Sequence, residues 1–226
     1  GTGVVKKDGK DKRTDLDAGT ATLQGHYTPA TGAVDGQADL RAVSPAALHT
    51  ALAAAPLSGR ISARTDGTAV RFQADIQAAN PRATSAGRPD ALRINTFSTQ
   101  GRWQAADKPD KTGKPDASSG TVLLERLLLD AQQARLEATQ LRVDLGAQSA
   151  QGQLALTLPG ATARAKGQIA ARTGAGELQV QWSDIDRTQR WLNTLPLVGA
   201  QVQRALKGAA AKGSAQVTAQ WKGGWQ

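Results

Sequence analysis

Residues 153–171, QLALTLPGATARAKGQIAA, decide the fold. Leu154, Leu156 and Leu158 take one phase, and Gln153, Ala155 and Thr157 the other. After Pro159-Gly160, Ala161, Ala163, Ala165, Gly167, Ile169 and Ala171 alternate with Thr162, Arg164, Lys166, Gln168 and Ala170. Successive side chains on an extended strand point to opposite faces, so a period of two marks a strand with one apolar and one wet face. The Pro-Gly dipeptide between the two runs marks a turn. The same period returns elsewhere, in Val70, Phe72, Ala74, Ile76 and Ala78 against Arg71, Gln73, Asp75 and Gln77, and in Leu141, Val143 and Leu145 against Arg142 and Asp144. From about Gly19 onward the chain therefore reads as mostly β, strand after strand. Each strand has a greasy face that something must cover.

The 226-residue chain has room for one large β domain or two small ones. Its apolar share is 39%, much of it alanine, and aromatics make up only 4%, which is lean for a sandwich core. Either the core is thin or part of the apolar face is not covered by protein. Cysteine is absent, so there is no disulfide framework and no thiolate chemistry. No run approaches the roughly 18 consecutive apolar residues of a membrane-spanning helix. Methionine is absent too, and a chain opening Gly1-Thr2-Gly3 reads as a piece of a longer protein whose anchor would lie outside it.

The net charge is +9, with 28 basic and 19 acidic residues. A nucleic-acid footprint would gather the basic ones, whereas most are scattered over the polar phase of strands, so no nucleic-acid partner is expected. The exception starts at Arg187, after which Arg190, Arg204, Lys207, Lys212 and Lys222 follow without an acid. A solvated basic face is the plainer reading of that run, and an anion-binding surface the sharper one.

Residues 1–18 are polar and mixed in charge and read as a flexible arm; residues 106–119, ADKPDKTGKPDASS, read as a mobile loop in the single domain spanning 19–226. Two segments break the β pattern. Ser44-Pro45 followed by AALHTALAAAPL predicts an amphipathic helix over 44–57, ended by proline. Ser183 as a cap, with Asp184 and Asp186 in the first turn, predicts a second helical insertion over 183–211, interrupted at Pro196 and Gly199. Each insertion sits between a strand and a glycine-started strand, an internal repeat of that unit. Leu48, Leu52, Ile185, Leu192, Leu195 and Leu206 are expected to pack on the apolar face of the sheet. Residues 121–145 are ambiguous: Leu124, Leu127, Leu128 and Ala131 stand at helical spacing among good helix formers, yet the Leu141–Leu145 alternation assigns the stretch to strands.

No catalytic constellation is present, and the chain reads as a non-enzyme with no metal and no cofactor. His26 and His49 are the only histidines and have no cysteine to join them. Residues 208–214, GAAAKGS, place the lysine before the second glycine and end a helix instead of opening one, so they are no phosphate loop. There is no G-x-S-x-G elbow, and Glu125, Glu137 and Glu177 are isolated. Trp182 and Trp221 fall on the apolar phase, either as core packing or at the rim of an apolar groove.

Three stretches carry a family resemblance: GQADLRAVSPAALHTALAAAPLSGRISAR, LALTLPGATARAKGQIAARTGAGELQVQW and WSDIDRTQRWLNTLPLVGAQVQRALKGAAAKGSAQVTAQWKGGWQ. Over roughly residues 21–226 the chain resembles the DUF490 portion of the TamB family, within the AsmA-like group. The shared features are soft patterns of Gly, Leu and Trp. The resemblance implies long antiparallel strands curled into an open, taco-like half-pipe with an apolar concave face. It also implies a periplasmic location with the parent protein anchored in the inner membrane, an outer-membrane barrel partner, TamA, and phospholipid acyl chains as cargo in transport and outer-membrane biogenesis. The family has no catalytic residues to carry over. The long polar loop and the basic helical unit depart from its pattern.

On that reading the groove is lined by Val70, Phe72, Ala74, Ile76, Leu141, Val143, Leu145, Leu154, Leu156, Leu158, Ile169, Leu178, Val180, Trp182, Val217 and Trp221. Two other readings suit one-faced strands equally: a closed β-sandwich binding or adhesin module, and a chaperone-like platform for nascent outer-membrane β-proteins. An excised half-pipe would also expose strand edges near Thr20–Tyr27 and Gly213–Trp221, which carry almost none of the Lys and Pro that discourage pairing, so edge-strand self-association is expected.

Overall fold

The computed structural model describes residues 19–28, 33–47, 49, 52, 53, 55–66, 68–79, 92–105, 120–195 and 212–224. The arm over 1–18, the loop over 106–119 and the second half of the basic unit, with Leu206, lie outside the described residues, as does Leu48.

Eleven strands form one open antiparallel sheet in unbroken sequence order. They are β1 (Thr20–Thr28), β2 (Ala33–Val43), β3 (Leu57–Asp66), β4 (Ala69–Ala78), β5 (Ile94–Gln104), β6 (Thr121–Ala131), β7 (Ala134–Asp144), β8 (Ser149–Leu158), β9 (Ala161–Ala170), β10 (Gly174–Trp182) and β11 (Ala215–Lys222). A closed sandwich needs two facing sheets, and the described residues form one. The sandwich alternative is therefore set aside.

The ladder keeps the apolar phase of every strand on the same side. Ile61 faces Ala74 across β3 and β4, Ala74 faces Thr99, Thr99 faces Leu127, and Leu127 faces Ala138. Leu154, Ala165, Leu178 and Ala219 continue that row to the far edge. Within the strands, the buried side chains Ala74, Ala78, Thr99, Ala131, Ala138 and Ala161 all stand on this apolar face. Among the described residues no second layer covers them; taller neighbours on the same face do. Ala138, only 1% exposed, sits between Leu127 and Leu154. Crowding of that kind on one side only is what curling produces, and the apolar face is the concave side of a half-pipe.

One transverse row explains where the strands bend. Gly25, Gly36, Ala63, Phe72, Gly101, Leu124 and Leu141 face one another in turn from β1 to β7. After a register shift, Gly152, Gly167, Gly176 and Trp221 carry the row from β8 to β11. In the middle of the sheet the bend is made by β-bulges: the register skips between Gln100 and Gly101 on β5, leaving Glu125 of β6 as an extra residue, and again between Thr139 and Arg142 on β7, where Gln140 has a φ of 52°. Bulges and glycines both allow sharp local bending of a strand. Aligned at one level, they make a crease along the axis of the trough.

The polar face is a ladder of opposite charges. Arg60 meets Asp39 at 2.9 Å, Arg64 meets Asp35 at 3.2 Å, and Lys166 meets Glu177 at 2.8 Å, each across a direct cross-strand pair. These pairs are exposed and add little stability one by one, but they keep that face wet and so set which side turns inward.

The expected helix over 44–57 is not formed as such. Pro45–Ala47 make a single 3-10 turn, and Leu52 pairs in a parallel bridge with Leu92 while the Ala53 N–H donates to the Leu92 carbonyl at 2.9 Å. Backbone groups bonded to a distant segment cannot close intrahelical rings, which outweighs the helix propensity of the alanines. The second insertion does contain a helix, α1 (Ile185–Asn193). Its N-cap is Asp184, whose carboxylate accepts from the Arg187 N–H at 2.9 Å, and not Ser183. The Ser183 and Asp184 N–H groups are both spent on the Gly160 carbonyl.

Candidate ligand groove

Fifteen of the sixteen expected lining residues lie on β4, β7, β8, β9, β10 or β11 with their side chains on the apolar face. Leu145 falls one residue past the end of β7, where its N–H donates to the Gly120 carbonyl at 2.9 Å.

The same face also carries residues that a simple alternation misses. On β6 the apolar side is Val122 and Leu124 before Glu125, then Leu127, Leu129 and Ala131 after it, because one extra residue flips the phase. On β7 it is Leu136 and Ala138, then Leu141 and Val143. Phe97 and Trp103 of β5 stand beside Ile76 and Val70 of β4. The available signal was the three-residue step from Leu124 to Leu127, matched by the three-residue step from Ala138 to Leu141.

The floor of the groove is lowest along the crease. Trp221 turns its ring back over the sheet, across Gly176 and Gly167; a Cβ on Gly176 would strike the ring, and one on Gly167 would lie 2.9 Å from Cζ2. Phe72 does the same over Gly101, with Cζ 2.9 Å from where a Cβ would stand. An apolar recess of about 110 Å³ opens next to Trp221, between Leu141, Gly152, Leu154, Gly167 and Ile169. The Trp221 Nε1–H is buried without a hydrogen-bond partner. An orphaned buried donor costs about 1–3 kcal/mol, so packing of the ring holds it there, not its polar handle.

The strand ends form the two long rims of the trough. Consecutive antiparallel strands put the links after β2, β4, β6, β8 and β10 along one rim. Those links are stitched together: Ala53 to Leu92, Gln132 N–H to the Arg93 carbonyl at 3.0 Å, and Trp191 Nε1–H to the Gln132 carbonyl at 2.6 Å. The Thr188 hydroxyl, on the buried residue of α1, donates to the Pro159 carbonyl at 2.9 Å. Gly160, at a φ of +82°, leaves no room for a Cβ beside the Asp184 carbonyl. Helix α1 thus bonds to turns along this rim, through Thr188 to the link after β8 and through Trp191 to the link after β6.

Among the described residues no group of His, Cys, Asp or Glu could hold a metal ion, and no helix is long and apolar enough to cross a membrane. Compared with protein-family models, with curated proteins and with solved structures, the chain matches none.

Proposed function

We propose that this chain is a periplasmic segment of a TamB-like protein whose apolar trough carries phospholipid acyl chains between the inner and outer membranes. The observation that carries the reading is an apolar face that runs across eleven strands and, among the described residues, has no second layer over it. With strands about 4.8 Å apart, those eleven span a trough roughly 48 Å long. Burial of acyl methylenes there contributes about 0.8 kcal/mol for each fully covered CH₂. Ala, Gly, Val and Leu offer no directional contacts, so a chain can slide instead of lodging. The bonded turns line one long rim of the trough, and its two ends are the edge strands β1 and β11, where cargo would pass to a neighbouring segment or to an outer-membrane barrel partner such as TamA.

The test is solvent extraction of the purified protein followed by lipid mass spectrometry. The expected result is co-purifying phospholipid in near-stoichiometric amount. A protein that is folded by circular dichroism and carries no lipid from membrane-containing lysate, nor takes any up from vesicles, would overturn the proposal. Photocrosslinking from the groove to unfolded outer-membrane β-strands in place of lipid would favour the chaperone platform.

A further inference from the structure

The outer edge of β1 is unlike ordinary sheet edges. Among the described residues no strand pairs with it. Thr20–Thr28, TATLQGHYT, contains no Lys, Arg, Asp, Glu or Pro, in a chain of net charge +9. Its apolar face is bare, with Leu23 80% and Tyr27 60% exposed. Natural edges are blunted by charge, proline or cover, and this one has none in the strand itself.

The topology dictates how a second copy could meet it. With eleven strands in strict antiparallel order, β1 and β11 run the same way. Stacking copies head to tail would therefore join β11 to β1 in parallel and leave an open-ended array. Antiparallel joining with both apolar faces on one side requires a two-fold axis normal to the sheet, which sets β1 against β1. The centre of β1 is Gln24, and an axis there pairs the strand over its full length. The rungs of the apolar face then match large with small: Leu23 lies opposite Gly25 of the second copy, and Ala21 opposite its Tyr27. Any register centred on a residue keeps odd positions facing odd, so the apolar faces stay continuous. At the other edge β11 ends in Lys222, a residue type that discourages such pairing.

We propose that two copies of this chain pair β1 with β1 across a two-fold axis at Gln24, extending the apolar trough through the dimer. This inference does not depend on the lipid reading. The absence of cysteine makes the test clean. In a Q24C variant the axis brings the two Cα atoms about 4.5–5.5 Å apart, within disulfide reach. Mild oxidation should then give a covalent dimer in high yield, while a T218C variant on β11 stays monomeric under the same conditions. Light scattering of the unmodified protein should give twice the 23.5 kDa chain mass at high concentration. Leu23→Lys, an exposed site where each copy meets the other, should raise the dissociation constant about tenfold or more with unchanged circular dichroism. A monomer at every concentration, crosslinking through Thr218→Cys instead, or mixed crosslinks between positions 24 and 218 with growing oligomers would each overturn the proposal.

Discussion

The indole of Trp221 occupies the space above Gly176, its direct cross-strand partner, that any side chain at that position would need. Glycine is therefore required at 176 by a residue far along the chain, and the pair closes one end of a crease that starts at Gly25.

The glycines of that crease should not respond alike. Gly176→Ala forces the Trp221 ring aside and Gly101→Ala strikes the Leu123 carbonyl oxygen before the Phe72 ring, and each should cost about 1–3 kcal/mol, as overpacking does. Gly36→Ala meets nothing closer than the Gln24 carbonyl oxygen at 3.7 Å, so relief of backbone entropy should leave it neutral or stabilising by up to about 1 kcal/mol. Urea denaturation of the three variants checks the order; equal losses would remove the crease from the account. Trp221→Phe, which keeps a ring and removes the orphaned N–H, should be milder than Trp221→Ala in the same assay.

Charge on the concave face should separate binding from folding. Leu156→Arg places a cation in the groove and should abolish lipid co-purification while the strand ladder persists by circular dichroism. Gln181→Arg stands on the wet face, opposite Thr162 and Gln216, and should leave both lipid content and stability unchanged.

Stability should fall on the acid side. The side-chain amide of Gln37, then Arg60, holds the Asp39 carboxyl below the ordinary value of 3.8, and Ser98 and Gln73 do the same for Asp75. A depressed folded pKa means the contribution is present above the ordinary carboxylate value and is lost as pH falls through the folded one. Lys166 works in the opposite sense: its hydrogen bond to Glu177 raises its pKa above 10.5, so that contribution holds below 10.5 and disappears as pH rises through the higher folded value. All three groups are exposed, so the effects are small. Melting temperatures of Asp39→Asn and Asp75→Asn should converge with that of the parent only as pH falls below 3.8 and through the lowered folded values.

The cap of α1 offers a sharp discrimination. Asp184→Ala should cost about 1 kcal/mol and speed amide exchange in the first turn of the helix, because the Arg187 N–H loses its acceptor. Ser183→Ala should do much less, since its hydroxyl makes only a long contact of 3.3 Å to the Gly160 carbonyl.

The parity of side chains along β4, β8, β9 and β10 was readable without coordinates, because a period of two is a local consequence of extended backbone. Those four strands have no bulge in the pairings between β8, β9 and β10, and their alternation runs from end to end. Residues 121–145 were harder for a definite reason. The step from Leu124 to Leu127 imitates a helical turn, and the structure shows it to be a strand whose phase is reset at Glu125. Helix propensity in this stretch is overridden by pairing on both sides, with β5 and with β7. At 44–57 the reverse holds: a well-capped amphipathic pattern yields a 3-10 turn, with the Ala53 N–H donated to the Leu92 carbonyl beside the Leu52–Leu92 bridge.

Which face each strand turns inward, and which strands lack blunting charges, are properties of single segments and stand in the linear order of residues. The crease is not such a property. Gly36, Gly101, Gly152, Gly167 and Gly176 become one line only when ten successive registers are set, and each register depends on cross-strand packing and on bulges that shift it by a residue. Nor can any one segment decide that α1, Gln132 and Leu92 meet along the same rim of the trough; that follows from the parity of the strand count between them. Local periodicity is set by backbone geometry within a few residues, whereas the line of the bend and the bonded rim come from contacts between segments that only the folded sheet brings together.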